Sequence, residues 1–129
     1  MKFTIVVHSA PTSQSAWSAY QFTRTALDAG HEIYRLFFYA DGVLNSSALS
    51  VTPQGEFDLT QAWQTLIAEH ELDAISCVSS ALKRGIIDTQ EAARYERPGA
   101  SLAAGMTLSG LGQLVDATLA SDRVVSFGA

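Results

Sequence analysis

Residues 72–78 form the stretch LDAISCV. It is a short apolar run that carries the one cysteine of the sequence, Cys77, near its end. Residues 79–84 follow at once as SSALKR, with small and hydroxyl residues first and the basic pair Lys83 and Arg84 last. The pattern predicts a strand that ends at the start of a helix. Because ligand and catalytic groups of open α/β folds gather at the carboxyl ends of strands, Cys77 is the first candidate functional residue.

The rest of the chain repeats this alternation of strand and helix. Further strands are predicted over residues 3–7, 32–39, 106–108 and 123–127, and further helices over residues 16–29, 58–70 and 111–119, with a shorter one after Asp88. Strands that alternate with helices predict an α/β fold with a mostly parallel sheet of about five strands. We expect a three-layer sandwich with helices on both faces, formed by a single domain over residues 1–129.

Two local predictions bear on the site. Residues 43–55 are predicted to form a long loop, which in a small domain is often functional. In the last helix, helical spacing predicts that Leu111, Leu114, Val115 and either Thr118 or Leu119 point inward.

Composition excludes several classes of function. The 129 residues are 47% hydrophobic and 16% charged, with a formal net charge of -5, which fits a folded protein and argues against tight, direct nucleic-acid binding. No segment approaches the length of a membrane span, and the N-terminal apolar run is too short for a signal peptide, so we expect a cytoplasmic protein. The low charged fraction fits either a surface covered by another subunit or a small alanine-rich domain.

Two interpretations of Cys77 stay open on sequence alone. A thiol beside a helix N-terminus and cations has a lowered pKa, and its thiolate is reactive. Free cysteines are also among the most buried residues, and Cys77 shares strand parity with Ile75, so the second interpretation is that it extends a core face as a small hydrophobe. A lone cysteine cannot close an intramolecular disulfide, so any cysteine chemistry here needs a partner molecule.

The loop after the first strand is a second candidate. Residues 8–15 carry a histidine, His8, and the hydroxyls of Ser9, Thr12, Ser13 and Ser15. Serine and threonine before a helix are ordinary caps, so capping is one interpretation and a small-molecule binding module is the other. The loop lacks the glycines and lysine of a phosphate-binding loop.

Cofactor and metal sites have no support in the sequence. Residues 109–112 read SGLG, but Val115 occupies the third glycine position of a dinucleotide fingerprint, so a tight turn is the better interpretation. The three histidines and the cysteine are scattered without the close spacing of metal ligands. We therefore expect no cofactor and no metal.

Several segments together resemble the DsrE/TusD family. They run through the chain in the family's order: residues 18–22 (SAYQF), 30–32 (GHE), 37–43 (FFYADGV), 77–78 (CV), 84–86 (RGI), 108–112 (LSGLG) and 122–125 (DRVV). Each motif is weak alone, whereas their order and spacing over nearly the whole chain are specific.

The resemblance implies a sulfurtransferase subunit that carries sulfur as a persulfide on Cys77. TusD-like proteins assemble with TusB-like and TusC-like subunits, two copies of each, into a heterohexamer. That complex takes sulfur from a TusA-like donor and passes it to a TusE-like acceptor for 2-thiouridine at the tRNA wobble position. Residues 105–110, GMTLSG, are closer to the TusD branch.

Two alternatives accompany this expectation. One is a DsrE-like subunit of a DsrEFH-type sulfur-oxidation relay with a DsrC-like partner. Another is a non-catalytic subunit in which Cys77 fills the core. For Arg84, the hypothesis of a cation that favours the persulfide anion stands beside that of a solvated arginine at a helix end.

Overall fold

Five parallel strands form one sheet in the computed structural model, which describes residues 1–128. The strands are β1 (Lys2–Val7), β2 (Glu32–Phe38), β3 (Ala74–Cys77), β4 (Met106–Ser109) and β5 (Arg123–Phe127), in the spatial order β4-β3-β2-β1-β5. The helices are α1 (Gln14–Asp28), α2 (Leu59–His70), α3 (Val78–Lys83), α4 (Thr89–Arg94) and α5 (Gly112–Ala120). A 3₁₀ helix, Ala40–Ser46, follows β2. The predicted α/β architecture is confirmed.

The larger core lies between the sheet and helices α1 and α2. Ile5 and Phe38 from the strands pack there with Tyr20 of α1 and Trp63 of α2. Tyr20 and Trp63 meet edge to face, with ring centroids 5.3 Å apart. Burying large apolar side chains on this face supplies most of the drive to fold.

The opposite face of the sheet is covered by α5, and its core is small. Val6, Phe37, Ile75 and Cys77 are buried there, with Tyr39 and Leu114 packed against them. Helices thus lie on both faces, as predicted, but the cover over Cys77 is thin. This cluster of six residues is called the cysteine cluster below.

The rotation of α5 differs from the prediction. Leu114 and Ala117 face the sheet, whereas Leu111, Val115 and Leu119 are 49%, 60% and 84% exposed. The prediction that Leu114 points inward is confirmed, whereas the prediction that Leu111, Val115 and either Thr118 or Leu119 do so was wrong, because all four are exposed. The cause is a polar anchor, which the spacing of apolar residues along the helix does not reveal.

That anchor is Arg35 of β2, a nearly buried arginine. Its Nη1 donates to the carbonyl of Gln113 at 2.7 Å and to Asp116 at 3.0 Å, while Nε and Nη2 donate to Asp73 at 2.9 and 2.8 Å. Tyr34 also donates to Asp116, at 2.8 Å. These bonds hold Gln113 and Asp116 against β2, the central strand of the sheet, and leave Val115 and Leu119 of α5 outside.

Part of the predicted loop over residues 43–55 is helical. The 3₁₀ helix Ala40–Ser46 occupies its beginning because Asn45 is buried and bonded on both sides. The Asn45 amide donates to the carbonyls of Ser9 and Gly42 at 3.0 and 2.9 Å, and its oxygen accepts from the Trp63 indole at 3.2 Å. The segment after β2 is thereby pinned to the carboxyl end of β1.

Candidate functional site

Cys77 is the last residue of β3 and the residue that caps α3. The apolar run before it forms the strand, and the serines after it form the first turn of the helix, as the sequence predicts. Only 2% of Cys77 is exposed. The structure thus places the thiol at the carboxyl edge of the sheet, but under cover.

Hydrogen bonds to the sulfur come from the first turn of α3. The Cys77 Sγ lies 3.5 Å from the Ser79 hydroxyl oxygen. Burial works to raise the pKa of the Cys77 thiol, but hydrogen bonds from the hydroxyls and backbone N–H groups of Ser79 and Ser80 outweigh it, so the pKa is lowered from its ordinary value. A lowered pKa favours the thiolate, the form that attacks sulfur.

Arg84 lies at the other end of α3 and has partners of its own. Its Nε donates to Asp41 at 2.9 Å, and Nη1 donates to the carbonyl of Ser80 at 3.0 Å. The pair joins α3 to the 3₁₀ helix. Arg84 therefore stabilises the position of α3, whereas the hydrogen bonds to the sulfur come from the serines in the first turn of that helix.

Strand register places Cys77 in a row of side chains along the carboxyl edge. Val7 pairs with Phe38 and Phe38 with Ser76, so His8, Tyr39 and Cys77 follow one another across β1, β2 and β3. Cys77 itself pairs with Ser109 of β4. The row runs His8, Tyr39, Cys77, Ser109.

Of this row, Tyr39 was not identified as a site residue from sequence, whereas His8 was named as a candidate in the loop after the first strand. The rings of His8 and Tyr39 contact each other, with centroids 5.8 Å apart, and both residues are half-buried. Tyr39 in turn packs against the cysteine cluster. The signal that identifies them is positional: each directly follows, or ends, a predicted parallel strand, so each reaches the edge that holds Cys77.

The loop over residues 8–15 is mainly a capping loop. Ser13 caps α1, since its hydroxyl accepts a hydrogen bond from the N–H of Ala16 at 3.1 Å. Ser9 is buried, while Pro11 and Thr12 line a surface cleft of about 480 Å³. The capping interpretation of Ser13 is confirmed.

Neither a metal cluster nor a membrane span appears within the part of the chain that the structure describes. Among residues 1–128, no group of three or more histidine, cysteine, aspartate or glutamate side chains is arranged to hold a metal ion. No helix in the same range is long and apolar enough to cross a bilayer.

Sequence comparison identifies the family. A profile of the DsrE/DsrF-like family matches residues 1–127. The chain belongs to the DsrE/DsrF-like family. It is 51% identical to the "Sulfurtransferase TusD homolog" of Pseudomonas aeruginosa over 128 residues, which cover 99% of this chain and 98% of that protein. It is 43% identical to the "Putative sulfurtransferase DsrE" of Allochromatium vinosum over 129 residues, 99% of each chain.

A solved structure shows the same fold. The crystal structure of the ychN protein from E. coli superposes with a TM-score of 0.78, covering 98% of this chain and 99% of that one at 23% identity. The profile match confirms the family resemblance, and the superposition confirms the α/β fold expected from the sequence.

Proposed function

We propose that this protein is a TusD-type sulfurtransferase subunit that carries sulfur as a persulfide on Cys77. Relatives that match nearly end to end, at 51% and 48% identity, are named TusD homologues and sulfurtransferases. The observation that carries the residue assignment is that the chain has one cysteine. If the chain forms a cysteine persulfide, the persulfide is on Cys77, at the carboxyl edge where its sulfur receives hydrogen bonds from Ser79 and Ser80.

The proposed transfer is a displacement at sulfur. The Cys77 thiolate attacks the outer sulfur of a donor persulfide, a new S–S bond forms, and the donor's S–S bond breaks. The donor leaves as a thiolate and takes up a proton, while Cys77 becomes a persulfide. An acceptor thiolate then attacks that outer sulfur and regenerates the Cys77 thiolate, so the two steps need no external oxidant or reductant.

The buried position of Cys77 sets a requirement for this function. Tyr39 and Leu114 pack against the cluster that contains the thiol. Leu114 belongs to α5, which is a thin cover held by the bonds of Arg35. A local displacement of Leu114 exposes the sulfur without unfolding the larger core on the opposite face of the sheet.

The partners in this proposal are proteins. We expect TusB-like and TusC-like subunits in a heterohexamer with two copies of each, a TusA-like donor and a TusE-like acceptor, in the cytoplasm. The exposed stripe of Leu111, Val115 and Leu119 supports contact with another subunit. The net charge of -5 supports sulfur delivery through proteins to 2-thiouridine, without direct tRNA binding.

A DsrE-like role in a sulfur-oxidation relay is the second candidate, and the 43% identity to a DsrE protein favours it. Complementation distinguishes the two. This chain, expressed in a bacterium that lacks its own TusD, restores 2-thiouridine in tRNA under the TusD proposal. Failure to restore it, in cells where the chain is present with its TusB-like and TusC-like subunits, supports the DsrE-like role.

A non-catalytic role for Cys77 is the third candidate, and its 2% exposure favours that role. The test is transfer of radiolabelled sulfur from a persulfidated TusA-like donor to a TusE-like acceptor through the assembled complex. Cys77→Ser abolishes transfer under the main proposal. Undiminished transfer with the serine variant establishes the structural role.

A further inference from the structure

We propose that His8 is the proton donor to the leaving thiolate during sulfur transfer onto Cys77, and that Tyr39 positions it. This inference rests on the proposed function, because it assigns the residues that receive the donor's leaving group. It follows from the register of three adjacent strands and from the contact between the two rings.

The dimensions of the row match those of the reaction. Adjacent strands lie about 4.8 Å apart, so Tyr39 is one spacing and His8 two spacings from Cys77. In a displacement at sulfur, the three sulfur atoms lie close to one line. An approach distance of about 3–3.5 Å and an S–S bond of about 2 Å place the leaving sulfur about 5 Å from the Cys77 Sγ.

For a leaving group that departs along the row toward His8, that position is one strand spacing from Cys77, at Tyr39. A leaving thiolate there has the cysteine on one side and His8 on the other. The His8 ring is in contact with the Tyr39 ring, at 5.8 Å between centroids and an interplanar angle of 54°. Tyr39 also packs against the cysteine cluster, so its ring lies between Cys77 and His8.

The opposite direction along the row offers no such group. Ser109 is the register partner of Cys77 on the edge strand β4, and residues 110–112 after it are Gly-Leu-Gly. None of those three side chains titrates. The donor's leaving thiolate therefore meets a proton donor when it departs toward β2 and β1.

The proton balance is complete with His8 in this role. The Cys77 thiolate attacks the outer sulfur of R–S–SH, forming the Cys77–S–SH persulfide and breaking the S–S bond of the donor. The electron pair of the broken bond goes to R–S⁻, which takes a proton from the His8 imidazolium. Because His8 is half-exposed, solvent returns the proton to it. Histidine is the usual side chain for proton transfer near neutral pH.

The test compares leaving groups of different basicity on the full-length protein. A general acid matters for a basic alkyl thiolate and little for a weakly basic aryl thiolate. Cysteine persulfide and hydroxyethyl disulfide release alkyl thiolates, whereas dithiobis(nitrobenzoate) releases an aryl thiolate. The rate of Cys77 modification is measured by mass spectrometry for wild type, His8→Gln and Tyr39→Leu.

We expect His8→Gln to slow the two alkyl reactions about 100-fold, the lower end of what general acids contribute, and to change the aryl reaction by less than about threefold. Tyr39→Leu shifts rates in the same selective direction by a smaller factor. His70→Gln, on an exposed histidine at the end of α2, and Tyr95→Phe, on an exposed tyrosine, are the matched controls.

The remaining outcomes separate the two proposals. If wild type loads sulfur on Cys77 but His8→Gln reacts like wild type with every reagent, the His8 assignment is overturned and the proposed function stands. Equal slowing of all three reactions also overturns it, since loss of structure or access does not distinguish leaving groups. If wild-type Cys77 takes up no sulfur from cysteine persulfide, both proposals fail.

Discussion

Ser79→Ala removes a hydrogen bond that favours the Cys77 thiolate. The Ser79 hydroxyl lies 3.5 Å from the sulfur, and bonds from Ser79 and Ser80 lower the pKa of Cys77 against the opposing effect of burial. A hydrogen bond to a charged group contributes about 1.5 kcal/mol at the low end of its range, which suits a contact of this length. Because about 1.4 kcal/mol corresponds to a tenfold change, the thiolate fraction of the variant falls about tenfold at acidic pH.

The loss of thiolate is partly offset by its reactivity. A more basic thiolate is a stronger nucleophile, with a Brønsted coefficient of about 0.4–0.5, so each thiolate reacts about threefold faster. The variant therefore reacts about threefold more slowly than wild type at acidic pH and about threefold faster at alkaline pH. The two pH–rate curves are expected to cross.

The assay is the rate of reaction of the native protein with dithiobis(nitrobenzoate), followed by absorbance from pH 5 to 10, the range that brackets the ordinary titration of a thiol. Ser50→Ala, an exposed serine in a surface loop, is the control and should superimpose on wild type. Superimposed curves for Ser79→Ala would refute the claimed role of the hydroxyl. A uniform reduction at every pH would also contradict it and would indicate lost access to the thiol.

Three further predictions concern the frame around the site. Leu114→Ala removes part of the cover over the thiol and so lowers the free energy of local opening, which should raise the alkylation rate of the native cysteine at least about tenfold. Leu119→Ala, at a residue that is 84% exposed, should leave that rate unchanged. Gly42→Ala places a Cβ 1.9 Å from a carbonyl oxygen of β1, so it should lower the free energy of unfolding by about 3 kcal/mol or more in urea denaturation. In the control Gly110→Ala the added Cβ has no atom within 4 Å, so the free energy of unfolding should change by less than about 1 kcal/mol. Arg35→Met removes the anchor of α5, so hydrogen exchange of the α5 amides should accelerate at least about tenfold while α2 exchange changes little; equal acceleration in both helices would show that the anchor is not local.

Local chemistry explains what the sequence predicted well. Two helices were predicted to begin at Asp58 and just after Asp88, and the carboxylates of these residues cap them by accepting hydrogen bonds from the N–H groups of Gln61 and Glu91 at 3.1 and 2.8 Å. Each cap is an interaction between residues three apart in the sequence, so it can be predicted from the spacing of residues alone. The placement of Cys77 at a strand end succeeded for the same reason, because the apolar run and the serines that follow it are adjacent.

Long-range contacts explain what the sequence did not predict. The face that α5 presents to the sheet depends on Arg35, which is 81 residues from Asp116 and 38 residues from Asp73. The engagement of Arg84 with Asp41 spans 43 residues in the same way. No periodicity encodes these partners, and an apolar stripe on α5 is as compatible with an inward face as with an exposed one.

The row of His8, Tyr39 and Cys77 falls between these two cases. That all three lie at the carboxyl edge follows from the parallel topology, which the sequence predicted. That they share one row requires the register of β1, β2 and β3, which only the structure supplies. Parallel strands slip by two residues without changing which side chains face the core, so apolar patterning alone leaves the row undetermined.

Intact-mass and peptide mass spectrometry show whether Cys77 carries sulfur. The full-length protein is incubated with a persulfidated TusA-like donor, separated from it, and measured beside Cys77→Ser. If Cys77 carries sulfur, wild type gains the mass of one sulfur atom on the peptide that contains Cys77, and the serine variant gains none. An unmodified Cys77 peptide in wild type, or sulfur retained by Cys77→Ser, would contradict it.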